Sequence, residues 1–278
     1  MVFYLIGLGL GTVEDITVKG QKIIKECDEV FLESYTSILS SGLSPDILEK
    51  FYDKKIIPAD REMVESFSER ILENAKEKNV ALLVVGDPFG ATTHSDIYLR
   101  AVQMGITVKV IHNASIMNAI GCTGLQLYNF GETVSFCFWT DTCKPISYFE
   151  KVLLNLERGQ HTLCLLDIKT NEINIEELMK GRMKRNPPQY MTASEAAQQI
   201  LVAIDLLNER NSEKLLTPDT MIVAVARLGW DNQKIVYCSV KDLVDIDMGP
   251  PLHSVIIPSP SCHPMEYEML NLFRHKKE

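Results

Sequence analysis

Along the chain, the spacing of apolar residues alternates between a period of two and a period near 3.6, the pattern of strands followed by helices. Val2 to Ile6 reads as a strand, Ile16 to Cys27 as a helix and Glu29 to Glu33 as a second strand. A helical pattern from Arg61 to Lys78 leads into the apolar run Ala81 to Val85, short and β-branched at its end, which predicts a strand covered on both faces. Ser95 to Met104 reads as a helix closed by Gly105, and Thr107 to Ile111 as a further strand. Repeated β-α units of this kind predict a largely parallel sheet with helices on its faces.

The second half follows the same logic less regularly. Ser115 to Ile120 reads as a short helix, with Asn113 and Ser115 as candidate caps. Val134 to Trp139 and His161 to Lys169 read as strands on either side of a helix from Ser147 to Arg158. Thr192-Ala193-Ser194-Glu195 has the form of a capping box before a helix from Ala196 to Leu207. Met221 to Ala226, Ile235 to Cys238 and Ser254 to Ile257 add strands, and the polar stretch from Thr170 to Gln189 reads as an insertion. A domain boundary is expected near Ile111–Ser115. No repeat or low-complexity tract interrupts the pattern.

Composition narrows the function classes. A chain of 278 residues suits one large domain or two of ordinary size, and 46% hydrophobic with 23% charged residues is a globular composition. The formal net charge of -9 offers phosphates no broad basic face, which excludes a generic nucleic-acid binder; the short basic runs Lys180 to Arg185 and Arg274 to Lys277 are the exceptions. Seven cysteines without a C-x-x-C pair indicate neither a zinc site nor a disulfide framework, and fit a reducing, cytoplasmic compartment. The apolar N-terminus lacks a leading Lys or Arg and a small-residue cleavage site, so it reads as the first strand rather than a signal peptide. No apolar stretch reaches the ~18 residues of a membrane helix.

The segment from Val84 to His94 concentrates the candidate chemistry. It follows a buried strand, at the sheet edge where open α/β folds hold ligands. Pro88 keeps Asp87 out of the helical region, and Gly86 and Gly90 let main chain approach another group closely. An ordinary strand-to-helix turn favours the same residues, so both readings stand. Gly7-Leu8-Gly9-Leu10-Gly11 invites a dinucleotide reading, but the fingerprint needs glycine where Thr12 stands; either a ligand or a tight packing turn explains it. There is no nucleophile elbow and no P-loop lysine, and His94, His112, His161, His253 and His263 lack metal-ligand spacing. His253, at the mouth of an apolar strand, suits a ligand contact or a structural role equally. Strand ends offering backbone and small polar groups suit a reaction whose reactant arrives already activated, where alignment supplies most of the rate.

Tyr4-Leu5-Ile6-Gly7-Leu8-Gly9-Leu10-Gly11, Asp15 to Gly20, Gly86 to His94, Ile111 to Ile116, Leu165 to Lys169, Tyr190 to Ala196 and Pro251 to Ser254, in that order, resemble the diphthine synthase family of tetrapyrrole-methylase-type class III methyltransferases. The resemblance spans nearly the whole chain. It implies two α/β domains, here 1–112 and 113–278, the first with a mostly parallel sheet and the second with a mixed one. It further implies a homodimer and S-adenosylmethionine in a cleft between the domains. The implied substrate is a histidine of translation elongation factor two that carries an aminocarboxypropyl group. The family trimethylates its amino nitrogen, and eukaryotic members also esterify its carboxylate. Phe89-Gly90 and the insertion after Lys169 resemble the eukaryotic branch. By the same resemblance Leu10, Asp87, Gly90, Ser115, Ile116, Leu166, Leu228 and His253 are the expected cofactor contacts, and no residue is assigned as catalytic. Thr142 to Pro145 departs from a more aromatic family pattern. Two other functions remain as alternatives: a small-molecule methyltransferase of the tetrapyrrole type, and a non-enzymatic nucleotide-binding partner of a translation factor.

Overall fold

The computed structural model describes residues 1–35, 45–170, 175–208 and 215–276. Lys277 and residues 171–174 of the expected insertion lie outside them. The chain divides into two compact units, Met1–Ala119 with Gly229–Asp231, and Ile120–Leu228 with Asn232–Glu278.

The first unit runs β1 (Val2–Gly7), α1 (Val18–Glu26), β2 (Glu29–Glu33), α2 (Pro45–Tyr52), β3 (Ile57–Ala59), α3 (Glu69–Leu72), β4 (Val80–Val84), α4 (Ser95–Gln103), β5 (Thr107–Ile111) and α5 (Ile116–Ala119). Its sheet has the order β3-β2-β4-β1-β5, and every pairing is parallel. β4 is buried throughout because successive side chains enter two cores. Val80, Leu82 and Val84 pack with Phe3, Leu5, Ile71 and Ile97, while Ala81, Leu83 and Val85 pack with Ile6, Leu8, Ile24 and Tyr52. This explains an apolar run without alternation.

The second unit contains β6 (Val134–Phe136), α6 (Ser147–Glu157), β7 (Thr162–Leu166), β8 (Ile168–Lys169), α7 (Ile175–Met179), β9 (Gln189–Tyr190), α8 (Ala193–Asn208), β10 (Met221–Ala226), β11 (Lys234–Ser239), α9 (Val240–Leu243), β12 (His253–Ile257) and α10 (Pro264–Leu272). The sheet order is β11-β10-β12-β7-β6; only β6 and β7 pair in parallel, so the sheet is mixed. The box before α8 is built as the residues suggest: Thr192 Oγ1 accepts from the Glu195 N–H at 3.1 Å, and Glu195 Oε2 accepts from the Thr192 N–H at 2.7 Å.

Three expected elements are subdivided. The helix expected over Arg61 to Lys78 breaks into a wide turn at Glu62–Ser66, α3 and a tight turn at Asn74–Lys76. The Phe67 N–H bonds back to the Glu62 carbonyl, five residues earlier, and the inserted residue turns Phe67 to solvent while Val64, Ile71 and Ala75 still meet the core. The strand expected over Val134 to Trp139 stops at Phe136, because the Phe138 N–H is taken by Asp167 Oδ2 and the Trp139 indole donates to Pro145 O and Tyr148 Oη. The strand expected over His161 to Lys169 divides at Asp167, whose carbonyl accepts from Met191, so β8 leaves the main sheet to pair with β9.

Candidate functional site

In the first unit, β1 and β4 end side by side, with Gly7 opposite Val84. Beyond that point Gly9 and Gly86 exchange two main-chain hydrogen bonds, at 3.2 and 2.7 Å. Both have φ +80, a conformation that costs side-chain-bearing residues. A Cβ on Gly7 would lie 2.5 Å from Gly86 O, one on Gly11 2.4 Å from Gly229 O, and one on Gly90 2.4 Å from Ser115 Oγ. At these three positions glycine is required by protein packed on protein. Of the two explanations for the Gly7–Gly11 run, these contacts favour the packing turn.

Asp87, Pro88, Phe89 and Gly90 form a β-turn in which the Gly90 N–H bonds to Asp87 O at 3.1 Å, with Asp, Pro and Gly at the positions such turns prefer. The Asp87 carboxylate has three donors. Oδ1 accepts from the Phe89 N–H at 2.9 Å; Oδ2 accepts from the Asn113 N–H at 3.0 Å and from His112 Nδ1 at 2.9 Å. Burial raises the carboxyl's pKa, but the main-chain bonds from Phe89 and Asn113, with His112, outweigh it and hold the group below its ordinary range. Asp87 therefore remains anionic and ties the loop after β4 to the residues after β5.

Asn113 completes that tie. Its Nδ2 donates to Gly7 O and to Asp15 O, both at 3.0 Å, instead of capping the following helix. The cap comes from Ser115, whose Oγ accepts from Met117 N while its own N–H bonds Asn118 Oδ1 at 2.7 Å. Thus Asp87, Gly90 and Ser115 stand together, and Ile116, half-buried, follows at the start of α5. Leu10 is also half-buried; its carbonyl accepts from the Trp230 indole at 2.6 Å, which Gly229–Asp231 brings to this unit. From the residues Asn113 was expected only as a helix cap and His112 was weighed only among the scattered histidines, so neither was read as a partner of Asp87, and Trp230 was not singled out. Trp230 lies more than two hundred residues from Leu10, and no local pattern announces such a contact.

In the second unit Leu166 ends β7, His253 begins β12, and β12 pairs with both β7 and β10, so these two residues share an edge of the sheet. Leu228 lies just past β10. Before it, Arg227 (φ +53) sends its buried guanidinium to the carbonyls of Asn232, Met248 and Pro250, fixing the chain's turn. Both His253 nitrogens are engaged: Nδ1 accepts from the Ala193 N–H at 3.2 Å, and Nε2 donates to Gly249 O and Pro250 O at 3.0 Å each. Burial, opposed by those carbonyls, keeps its pKa below the usual imidazole range. His253 is thus a neutral imidazole in a fixed tautomer, bracing the loop before β12.

Three thiols are muted by their surroundings. Burial pushes the thiols of Cys27 and Cys262 up to about 11 and that of Cys238 to about 12, which keeps them protonated. His161, Cys262 and Glu266 gather ligand-type atoms within 4.8 Å of one another. However, His161 Nδ1 accepts from the Ser259 N–H at 2.9 Å and Nε2 donates to Glu266 Oε1 at 3.0 Å, so the imidazole is committed to the fold.

A parallel sheet whose strand ends carry this glycine-and-carboxylate loop, joined in one chain to a mixed-sheet unit, defines a class. The tetrapyrrole (corrin/porphyrin) methylase model matches residues 2–244, and the chain belongs to that family. Within it, the chain is 54% identical over 272 residues to the diphthine methyl ester synthase of Homo sapiens, covering 98% of this chain and 95% of that protein. It is 50% identical over 277 residues to the diphthine methyl ester synthase of Dictyostelium discoideum, with full coverage of both. A crystal structure of diphthine synthase superposes with a TM-score of 0.82 at 32% identity, covering 99% of this chain and 96% of that one.

Proposed function

We propose that this chain is an S-adenosylmethionine-dependent protein methyltransferase of diphthamide biosynthesis, acting on the aminocarboxypropyl-modified histidine of translation elongation factor two. It adds three methyls to the amino nitrogen and one to the carboxylate. The observation that carries this reading is the chain-long identity with diphthine methyl ester synthases, 54% over 98% of this chain. The fold of the first unit supports it, because the Gly86–His94 loop is held rigid at the strand ends, where α/β sheets bind ligands.

The proposed cofactor contacts are Leu10, Asp87, Gly90, Ser115 and Ile116 on the first unit, and Leu166, Leu228 and His253 on the second. The first set fits such a ligand. Leu10 and Ile116 offer half-buried apolar surface, and the anionic Asp87 gives the loop a negative charge suited to a sulfonium. When bound, S-adenosylmethionine supplies a methyl made electrophilic by its sulfonium. The chain's own share is orientation. Asp87 fixes the loop main chain, and the committed nitrogens of His253 leave it a packing contact. Alignment and desolvation of the nucleophile account for the rate. The amine's proton goes to water, and the carboxylate arrives as an anion, so neither transfer requires a side-chain base. We further propose a homodimer in the cytoplasm; the burial of Cys27, Cys164 and Cys238 as small apolar side chains supports a reducing compartment.

The test incubates the chain with labelled S-adenosylmethionine and, in separate reactions, unmodified elongation factor two, the factor bearing the aminocarboxypropyl group, or a tetrapyrrole. Label on the modified factor alone, with four added methyls by mass spectrometry, is the expected result. Three methyls would sink the esterification, and label on a tetrapyrrole instead would sink the protein substrate.

A further inference from the structure

Pro88 is the least free residue of the loop. Its ring locks φ, which leaves ψ as its one soft main-chain angle. Rotation about ψ swings the Pro88 carbonyl and, on the same peptide plane, the Phe89 N–H. That N–H holds Asp87 Oδ1, so the angle at Pro88 sets one of the three hydrogen bonds that orient the carboxylate. Two side chains fix this angle from farther along the chain. Thr92 Oγ1 donates to Pro88 O at 2.6 Å and His94 Nδ1 at 3.1 Å, using both lone pairs of one carbonyl.

With a carbonyl as its partner, Nδ1 carries the ring proton, and Nε2 is left as a bare acceptor. His94 is only 1% exposed, and among the described residues Nε2 has no hydrogen-bond partner. A buried acceptor left unsatisfied weakens the fold. Nor does the side chain help the helix it precedes, for it makes no cap bond to α4, where Ser, Asp or Asn would make one. The residue is thus poor for stability by two measures, and among the described residues its side chain's one hydrogen bond goes to the Pro88 carbonyl.

We propose that His94 is a positioning residue of the methyl-donor loop, fixing the Asp87–Gly90 turn through the Pro88 carbonyl, with Thr92 as its partner. This rests on the reading of that loop given under Proposed function. The variants separate the ring nitrogens. His94→Asn keeps a donor where Nδ1 stands, His94→Gln moves it outward, and His94→Leu removes it together with the orphaned Nε2.

Wild-type affinity for S-adenosylmethionine is measured first by calorimetry. His94→Asn stays within about threefold of it, while His94→Gln and His94→Leu weaken it about tenfold, the loss of one hydrogen bond. Thr92→Val weakens it similarly and Thr92→Ser does not. His94→Leu keeps the wild-type Tm, because it also removes the unsatisfied acceptor. Wild-type affinity in His94→Gln, or a fall in Tm that accompanies the lost affinity in His94→Leu, would overturn the proposal. Hydrogen exchange at the Phe89 and Gly90 amides tests the same contact without ligand: faster exchange in His94→Gln and His94→Leu but not in His94→Asn supports the proposal, and equal exchange overturns it. A wild-type chain that binds no S-adenosylmethionine but shows this exchange pattern would leave the positioning intact and defeat only the cofactor reading.

Discussion

Replacing Asp87 by Ala removes the acceptor of three donors at once, and the consequences are not equal. His112 is 69% exposed at its side chain, so its Nδ1 turns to water and its loss contributes close to nothing. The Phe89 N–H lies on the exposed side of the turn and rehydrates in part. The Asn113 N–H is partly buried, and its bond to a carboxylate is of the charge-assisted kind. Such bonds contribute about 1.5–3 kcal/mol each when water is excluded, so one full contribution and one discounted give about 2–3 kcal/mol. Thermal unfolding should show a Tm lower by roughly 5–10 °C, alongside weaker S-adenosylmethionine binding in calorimetry. The pH dependence gives a sharper check. Because the carboxyl is held below its ordinary range in the fold, its stabilisation is complete above the unfolded value of about pH 3.9 and is lost as pH falls through the lower folded value. Wild type and Asp87→Ala should therefore differ most near neutrality and converge toward pH 3 or below. A gap that stays constant with pH, or a variant with unchanged Tm and affinity, would refute the bracing role.

Other perturbations test other joints. Gly90→Ala places a Cβ 2.4 Å from Ser115 Oγ and 2.6 Å from Ser115 Cβ, so calorimetry should show weaker cofactor binding, with partial recovery in the Gly90→Ala, Ser115→Gly double variant. Glu266→Gln leaves the acceptor of the His161 Nε2–H, Gln126 N–H and His263 N–H short of one oxygen and faces an amide N–H₂ to a donor. Urea unfolding near pH 7 should show a loss of about 2–4 kcal/mol. Burial raises the Glu266 pKa, but its main-chain bonds and His161 lower it further, so that loss should shrink as pH falls below about 4.3. Trp230→Phe keeps an aromatic ring but drops the N–H from Leu10 O together with one ring of buried volume; a destabilisation of at least about 1 kcal/mol is expected, and none would mean the Leu10 turn stands without it.

The apolar periodicity of this chain determined most of its elements. β2, β5 and β10 fall on the residues that the pattern marks: β10 is apolar throughout because both its faces are covered, whereas the edge strand β5 alternates, with Thr107 and Lys109 exposed between Val108, Val110 and Ile111. The Gly86–His94 segment was conspicuous for the same local reasons, since Asp, Pro and Gly have distinct backbone preferences. What those residues do was not local. Whether Asp87 faces a ligand or its own protein depended on the Asn113 N–H and on His112, twenty-five residues and more along the chain, which only the parallel pairing of β1 with β4 and β5 brings beside it. The glycines looked like room for a ligand, and at Gly7, Gly11 and Gly90 they are room for other main chain and for Ser115. His253 shows the limit most plainly. Its place at a strand mouth is visible in the sequence, yet the partners that fix both its nitrogens come from Ala193, Gly249 and Pro250, and tertiary packing alone decides that a histidine able to meet a ligand is already satisfied.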